Sequence, residues 1–169
     1  STLGFERLTN PALQVHAKKD FIQNKIREKH TKPPYFSRME EYNLKGAPPV
    51  EPVFPPQPLD ADQFEQAMQE GMLAIDIRSP EAFAGAYIPG SIAIPLEMLP
   101  AYAGWFLPYD QELGVIVDSY RDVQTARRFL TRIGYDRVVG FLEQGLHEWE
   151  IQGKYYETIP AVYAGEIQR

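Results

Sequence analysis

The chain has 169 residues, of which 44% are hydrophobic and 24% charged, a composition typical of one globular domain plus an extension. Its formal net charge of −6 argues against nucleic acid or an anionic membrane as the main partner, and its lack of cysteine excludes disulfides, thiolate metal sites and a cysteine nucleophile. No apolar stretch approaches the roughly 20 residues that cross a bilayer, and no signal peptide is visible, so a cytoplasmic location is expected.

Residues 1–46 form a first region with helical patterns. Pro11 suits the first position of a short helix, and the apolar spacing within residues 19–29 predicts an amphipathic helix. Tyr35 and Phe36 open another apolar stripe that ends at Gly46. The segment is too small to close a core alone, so we expect it to be helical and docked, on the following domain or across a homodimer. The chain begins at Ser1 without a methionine, which suggests that it was cut from a longer protein.

Residues 47–58 contain six prolines. Such a stretch favours the polyproline II conformation and acts as a semi-rigid spacer between domains. A ligand for a proline-binding module is the sharper alternative, but linkers of this composition are common, so the linker interpretation is preferred.

Strands alternate with helices from Leu59 onward. Caps, turns and apolar periodicity predict strands at residues 72–77, 92–94, 113–117 and 137–142, and helices at 60–69, 98–106, 123–133 and 145–152. A further short helix is predicted to start at Ser79-Pro80-Glu81. This alternation predicts an α/β fold with a central, mostly parallel sheet and helices on both faces.

The central strand, loop and helix are the natural place for chemistry. Val115, Ile116 and Val117 predict a buried strand, and the helix after it would point its N-terminal N–H groups toward an anion. The intervening loop comprises Asp118, Ser119, Tyr120, Arg121, Asp122 and Val123. It holds no cysteine and no glycine run, and Ser119 has no base nearby in sequence. The scaffold of an active site is therefore present without an evident catalyst.

Four sequence motifs resemble those of rhodanese-homology domains. AIDIRSPEAF (74–83) and YIPGS (87–91) resemble the opening motifs of that family, and IGYDRV (133–138) and QGLHEW (144–149) resemble its closing motifs. The resemblance covers about residues 59–158. It implies a small α/β domain with a central parallel sheet, in which active members carry a persulfide on a cysteine in the loop after the central strand.

The sequence departs from this pattern at the catalytic positions. The family cysteine falls at about Asp118 or Ser119, the loop is about one residue shorter, and Tyr87 and Gln144 replace a histidine and a glycine of the motifs. Neither a carboxylate nor an unactivated serine can replace a thiolate as sulfur carrier. The resemblance therefore implies an inactive sulfurtransferase homologue with no catalytic residues, no bound cofactor and no metal in this chain.

The first region resembles a different family. STLGFER (1–7) and NPAL (10–13) look like the tail of metallo-β-lactamase-fold hydrolases of the glyoxalase II and persulfide dioxygenase type, and residues 19–46 resemble the helical extension after it. The resemblance implies a helical tail at 1–46, a linker at 47–58, a rhodanese-like domain at 59–158 and a C-terminal tail or linker at 159–169. Zinc or iron would belong to the missing upstream domain, and the parent would be a metal-dependent hydrolase or persulfide dioxygenase-like enzyme.

Two functional hypotheses follow. The leading one is a non-catalytic structural or interaction module that binds the upstream metallo-β-lactamase-like domain and, where present, a second rhodanese domain. The alternative is a sulfurtransferase-related enzyme or small-anion binder that uses the loop after the central strand.

For several side chains the sequence allows two roles. Asp76 and Arg78 either pair in the core, which is preferred, or line the pocket, and Arg121 either binds an anion or is a solvent-exposed charge. The aromatic cluster before the central strand is either core or a contact face for a neighbouring domain; it consists of Tyr102, Trp105, Phe106 and Tyr109.

Overall fold

A computed structural model describes residues 2–29, 32–47, 55–162 and 165. Its contacts divide the chain into two compact units, Ser1–Lys32 and Pro33–Arg169. Most of the proline-rich linker, residues 48–54, and most of the C-terminal tail lie outside the described residues.

The first unit consists of short helices without a core. It contains helix α1 (Leu3–Thr9), a 3-10 helix (Pro11–Leu13) and helix α2 (Lys18–Arg27). The side chain of Asn10 accepts a hydrogen bond from the Ala12 N–H and so caps the turn that contains Pro11. None of the residues in these helices is buried. This agrees with the expectation that the segment cannot close a core of its own.

Helix α3 (Tyr35–Lys45) belongs to the second unit, although the sequence grouped it with the residues before it. Tyr35 packs against the main hydrophobic core, and its ring fills the space beside Gly104. The guanidinium of Arg38 lies 4.3 Å from the centroid of the Tyr109 ring. These contacts make α3 a part of the α/β domain.

A five-stranded, all-parallel sheet forms the centre of the second unit. Its order is β1 (Gln57–Leu59), β5 (Val138–Leu142), β4 (Leu113–Ile116), β2 (Leu73–Asp76) and β3 (Ile92–Ala93). The predicted α/β fold with a central parallel sheet is confirmed. Strand β1 lies at the edge of the sheet and includes Gln57 and Pro58, which the sequence placed in the linker.

Helices cover both faces of the sheet. They are α4 (Ala61–Gln69), α5 (Pro80–Gly85), α6 (Leu99–Phe106), preceded by a 3-10 turn at Leu96–Met98, α7 (Tyr120–Arg132) and α8 (Gly145–Ile151). Helices α6 and α7 pack on a core that includes Leu99, Leu130 and Val115. Helices α4 and α8 pack on a second core around Phe64 and Trp149. No helix of the described residues is long and apolar enough to span a membrane.

Caps set where several helices begin. Asp60 forms a reciprocal capping box with Gln63, and Ser79 caps α5 ahead of Pro80, in line with the N-caps that the sequence predicts. The prediction that the central helix begins at Val123 is wrong, because α7 begins at Tyr120 with Ser119 as its N-cap. Most of the candidate loop is thus the first turn of α7.

Candidate functional site

A small cleft of about 250 Å³ opens where the central strands β4 and β5 end. Ligands bind at this edge in open α/β sheets, because the loops there are held by the strands that precede them. The cleft is lined by Val117, Asp118, Ser119, Tyr120, Phe141, Leu142, Glu143, Gln144 and Gly145. The structure therefore brings the predicted loop together with the turn between β5 and α8.

The two oxygens of Ser119 accept hydrogen bonds from N–H groups at the N-terminus of α7. Its hydroxyl accepts a hydrogen bond from the Arg121 N–H at 3.3 Å, and its carbonyl accepts one from the Asp122 N–H at 2.9 Å. A sulfur or phosphate anion would need such N–H groups to be free. The local cap therefore competes directly with the anion-binding role that the sequence alternative requires.

Tyr120 also lines the cleft, with its side chain 61% exposed. Its ring packs on Phe141 of β5 with centroids 5.5 Å apart, and it is the first residue of α7. Asp118 and Ser119, the two positions at which the family cysteine would fall, are both exposed beside it.

The turn opposite the loop adopts an unusual backbone. Gln144, at a glycine position of the family motif, has a φ of 57°, a left-handed conformation that costs energy in residues other than glycine. Gly145 follows with a φ of +61°, and a β-carbon there would overlap the carbonyl oxygen of Val117. The absence of a side chain at Gly145 thus lets the end of β4 pack directly on the start of α8.

The charges around the cleft are mainly negative. Asp118 and Glu143 line it, and Asp122 lies in the first turn of α7. Arg121 is exposed at the same end of the helix, which agrees with the preferred interpretation of a solvent-exposed charge. Among the described residues, no group of three or more histidine, cysteine, aspartate or glutamate side chains is arranged to hold a metal ion.

A scan against family models matches residues 60–152 to the rhodanese-like domain. This chain belongs to the rhodanese-like domain family. A sulfurtransferase of Allochromatium vinosum is 27% identical over 97 residues, which cover 56% of this chain and 89% of that protein.

Two solved structures resemble this chain to different extents. The crystal structure of the Alr3790 protein from Anabaena sp. has a TM-score of 0.55 and 23% identity, covering 61% of this chain and 94% of that one, which shows the fold alone. A metallo-beta-lactamase from Staphylococcus aureus subsp. aureus COL has a TM-score of 0.64 and 33% identity over 84% of this chain. This chain spans only 40% of that structure.

Asp76 and Arg78 of the rhodanese-like domain form a buried ion pair, which confirms the preferred structural interpretation. Their side chains are 0% and 5% exposed, and the Arg78 Nη2 lies 2.6 Å from the Asp76 Oδ2. The Arg78 Nε also donates to Asp76, and its Nη2 donates to the Ala86 carbonyl at 2.7 Å. The pair ties the end of β2 to the end of α5, so it supports the fold rather than a ligand.

Tyr87, which replaces the family histidine, is engaged by the C-terminal segment. Its hydroxyl donates to the Glu157 Oε2 at 2.6 Å, and the two residues also exchange backbone hydrogen bonds. The hydrogen bond to Glu157, followed by desolvation, raises the pKa of the Tyr87 hydroxyl. Sequence reasoning missed this contact, because residues 70 positions apart carry no local signal of pairing.

The predicted aromatic cluster separates into two parts. Tyr109 stacks on the buried Tyr135 with ring centroids 4.3 Å apart, so the core interpretation is correct for Tyr109. Tyr102, Trp105 and Phe106 of α6 are instead 45%, 43% and 58% exposed. For these three side chains the contact-face interpretation stays a prediction.

Proposed function

We propose that this chain is a non-catalytic rhodanese-like module of a larger sulfur-metabolising metallo-hydrolase, in which it serves a structural or interaction role. The single observation that carries the proposal is the absence of any thiol in a domain of a sulfurtransferase-related family. The sulfur-carrying cysteine of the family would fall at about Asp118 or Ser119, and neither a carboxylate nor an unactivated serine accepts a sulfane sulfur as a thiolate does.

The architecture of the cleft supports the same conclusion. Ser119 caps the amides of α7, Tyr120 packs across Phe141, and Asp118 and Glu143 add negative charge. These features oppose the alternative of a small-anion binder, because an anion would meet like charges and occupied N–H groups. No histidine lines the cleft within the part of the chain that the structure describes, so Ser119 lacks the base that would activate it as a nucleophile.

A separate observation supports the proposal that this module is fused to a metallo-β-lactamase-like domain. The alignment with the Staphylococcus aureus metallo-beta-lactamase covers 84% of this chain, which is more than the residues 60–152 of the family match. The shared part therefore includes residues outside the rhodanese-like domain. We infer an upstream metallo-β-lactamase-like domain that holds zinc or iron, as the first partner of this module, and a second rhodanese domain as a further one.

Sulfur transfer from thiosulfate to cyanide tests the catalytic half of the proposal. The purified chain should produce thiocyanate at the rate of a protein-free control, whereas an active rhodanese assayed in parallel should exceed it. Turnover that is lost in Ser119→Ala or Asp118→Ala would overturn the proposal, because it would place a reaction in the cleft.

The module role is tested in the parent protein. Ser119→Ala and Asp118→Ala should leave the turnover of the upstream metal domain unchanged, and deletion of residues 33–162 should lower its turnover or its melting temperature. If the metal domain were unaffected by the deletion, the structural role would be wrong even with the cleft inactive.

A further inference from the structure

Four exposed aromatic side chains lie on the neighbouring helices α3 and α6, and we call them the aromatic ridge. It consists of Tyr102, Trp105 and Phe106 on α6 and Phe36 on α3, which is 41% exposed. Helices α3 and α6 are joined by the contact of Tyr35 with Gly104, and the rings of Tyr35 and Phe36 lie 5.0 Å apart. Exposed tryptophan and tyrosine side chains are enriched at the centres of protein interfaces.

Arginines extend this face along the neighbouring helix α7. Arg121, Arg128 and Arg132 are exposed and follow one another at seven- and four-residue intervals, so they share one side of the helix. None of the three forms an ion pair within the part of the chain that the structure describes. Arg121 shares its end of α7 with Asp122, so the positive charge of this arginine stripe is concentrated at Arg128 and Arg132.

A groove of about 500 Å³ lies in the opposite layer, between α4, α8 and the turn before β3. Its apolar lining includes Met68, Met72, Ile88, Pro89, Trp149 and Tyr155. Methionine side chains adapt to varied partners, and a cavity of this volume lies in the range that accepts a ring-sized group. We call it the methionine groove.

The border of the methionine groove is acidic. Glu65 lines it, Asp62 lies on the same helix α4, and Glu70 is the C-cap of that helix. Lys154 lies nearby, but its ammonium group is held 2.7 Å from both Asp62 and Glu65. Three carboxylates and one ammonium leave this border with an excess of negative charge.

We propose that the aromatic ridge of one copy of this chain inserts into the methionine groove of a second copy, with the arginine stripe facing the acidic border of α4. The apolar rings of the aromatic ridge suit the apolar lining of the methionine groove, and the positive arginine stripe is opposite in charge to the acidic border of that groove. Within one chain, the ridge and the groove lie in layers on opposite faces of the sheet, so the ridge cannot enter the groove of its own chain. This inference goes beyond the proposed function and does not depend on whether the cleft is catalytic.

The contact would be heterologous, because the two copies use different surfaces. Such contacts leave one ridge and one groove unused at the ends, so they build rings or open chains rather than closed two-fold dimers. The attraction between the arginine stripe and the acidic border acts between exposed groups, so it should weaken when added salt shortens the Debye length. We therefore expect association that grows with concentration and declines with ionic strength.

Sedimentation velocity of the 169-residue chain tests this association. At low salt and about 0.5 mM protein, the weight-average sedimentation coefficient should rise with concentration, since contacts of micromolar to millimolar Kd are populated there. Arg128→Glu and the double variant Trp105→Ala/Phe106→Ala should each raise the apparent Kd by about tenfold or more. The matched controls are Lys19→Glu, with the same change of charge, and Leu44→Ala at an 85% exposed site on α3.

A mixing experiment tests the heterologous geometry itself. The ridge variant Trp105→Ala/Phe106→Ala keeps its groove, and Gln69→Arg, at an exposed position lining the groove, keeps its ridge. Each should be monomeric alone, and their mixture should form a one-to-one complex that grows no further. Far-UV circular dichroism and thermal melts should show that both variants are folded.

Three results would overturn the proposal. In the first, the wild-type chain stays monomeric under these conditions. In the second, Arg128→Glu and the ridge variant leave the association unchanged. In the third, the ridge and groove variants are folded but form no complex when mixed.

Discussion

The carbonyl oxygen of Val117 occupies the space that a β-carbon on Gly145 would need. Val117 directly follows β4, and Gly145 is the first residue of α8 after β5, so the contact joins the ends of the two central strands. The φ of Gly145 is also +61°, which L-residues rarely adopt. Two independent constraints therefore require glycine at this position behind the cleft.

Gly145→Ala should be strongly destabilising, and Gly153→Ala is its matched control. Gly153 has a similar φ of +68°, but no atom lies within 4 Å of the position that its β-carbon would take. We expect about 1–2 kcal/mol for the left-handed backbone at both sites and about 1–3 kcal/mol more at Gly145 from overpacking. Urea unfolding followed by circular dichroism measures both; equal losses at the two sites would show that the Val117 contact carries no strain.

The buried pair of Asp76 and Arg78 should depend on both partners. Asp76→Ala leaves a buried guanidinium without its carboxylate, and we expect a loss of about 3–5 kcal/mol. The exposed pair of Arg137 and Glu112, at 2.8 Å, is the comparison, and Glu112→Ala should cost less than about 1 kcal/mol. Urea unfolding of the two single variants measures both losses.

The double variant Asp76→Leu/Arg78→Met separates the cost of leaving a buried guanidinium unpaired from the loss of the ion pair itself. Removing both charges together should restore most of the stability, since a buried ion pair is often replaceable by apolar side chains. If it were as unstable as Asp76→Ala, the role of Arg78 would lie instead in its hydrogen bond to the Ala86 carbonyl.

Asp118→Cys should restore little sulfurtransferase activity. The new thiol would stand beside Asp122 and Glu143, and nearby negative charge raises a thiol pKa where catalysis needs a lowered one. The α7 amides would still be capped by Ser119. The assay is thiocyanate formation, and reaction of the introduced thiol with a thiol reagent, measured against pH, is the control for its accessibility. Activity near that of a true rhodanese would show that only the thiol was missing.

Sequence reasoning predicts those elements whose signals are local. The capping residue Asp60, the Ser79–Pro80 start of α5 and the apolar run of β4 each act within a few residues, and the structure confirms all three. The start of α7 is misplaced, because the residues that follow Ser119 as far as Asp122 carry no apolar periodicity by which to extend the helix.

Features that depend on distant residues are beyond sequence reasoning. The bond of Tyr87 to Glu157 and the packing of Tyr35 beside Gly104 each join segments about 70 residues apart, and neither partner has a distinctive local pattern. The absence of a thiol from the cleft follows from the sequence alone, which contains no cysteine. The cap that Ser119 forms and the packing of Tyr120 on Phe141 require the geometry of the first turn of α7.

Tyr135 should make the domain sensitive to alkali. Its hydroxyl is buried and donates to the Leu107 carbonyl at 2.7 Å, and burial raises its pKa above the ordinary value. The unfolded chain would ionise first, at about pH 10. The stability due to the neutral phenol is thus fully present below that pH and is lost as the pH rises toward the folded pKa.

Tyr135→Phe is the test of this alkaline transition. The variant should lose about 1–2 kcal/mol at neutral pH, because a buried carbonyl loses its donor, and its stability should fall less steeply above about pH 10. Tyr156→Phe, which changes an exposed residue, should keep the wild-type pH profile. An unchanged slope in Tyr135→Phe would assign the alkaline loss to other groups.

Helix α3 should stabilise the rhodanese-like domain although it precedes the linker. Deleting residues 1–32 removes only the first compact unit, so the remaining unit should keep its cooperative melt. Deleting residues 1–46 also removes Tyr35 and Arg38, and residues 57–160 should then fold with lower stability. Full burial of an apolar side chain is worth about 1.5–3 kcal/mol, so the partly buried Tyr35 should contribute less than that. The cation–π contact of Arg38 with Tyr109 adds about 0.5–1 kcal/mol.

Differential scanning calorimetry of the two truncated chains measures the contribution of α3. In the full chain, Tyr35→Ala should reproduce most of the loss, because its ring leaves the core beside Gly104. Leu44→Ala on the same helix should cost almost nothing, because Leu44 is 85% exposed. Equal melting temperatures for the two truncated chains would show that α3 contributes nothing to the domain core.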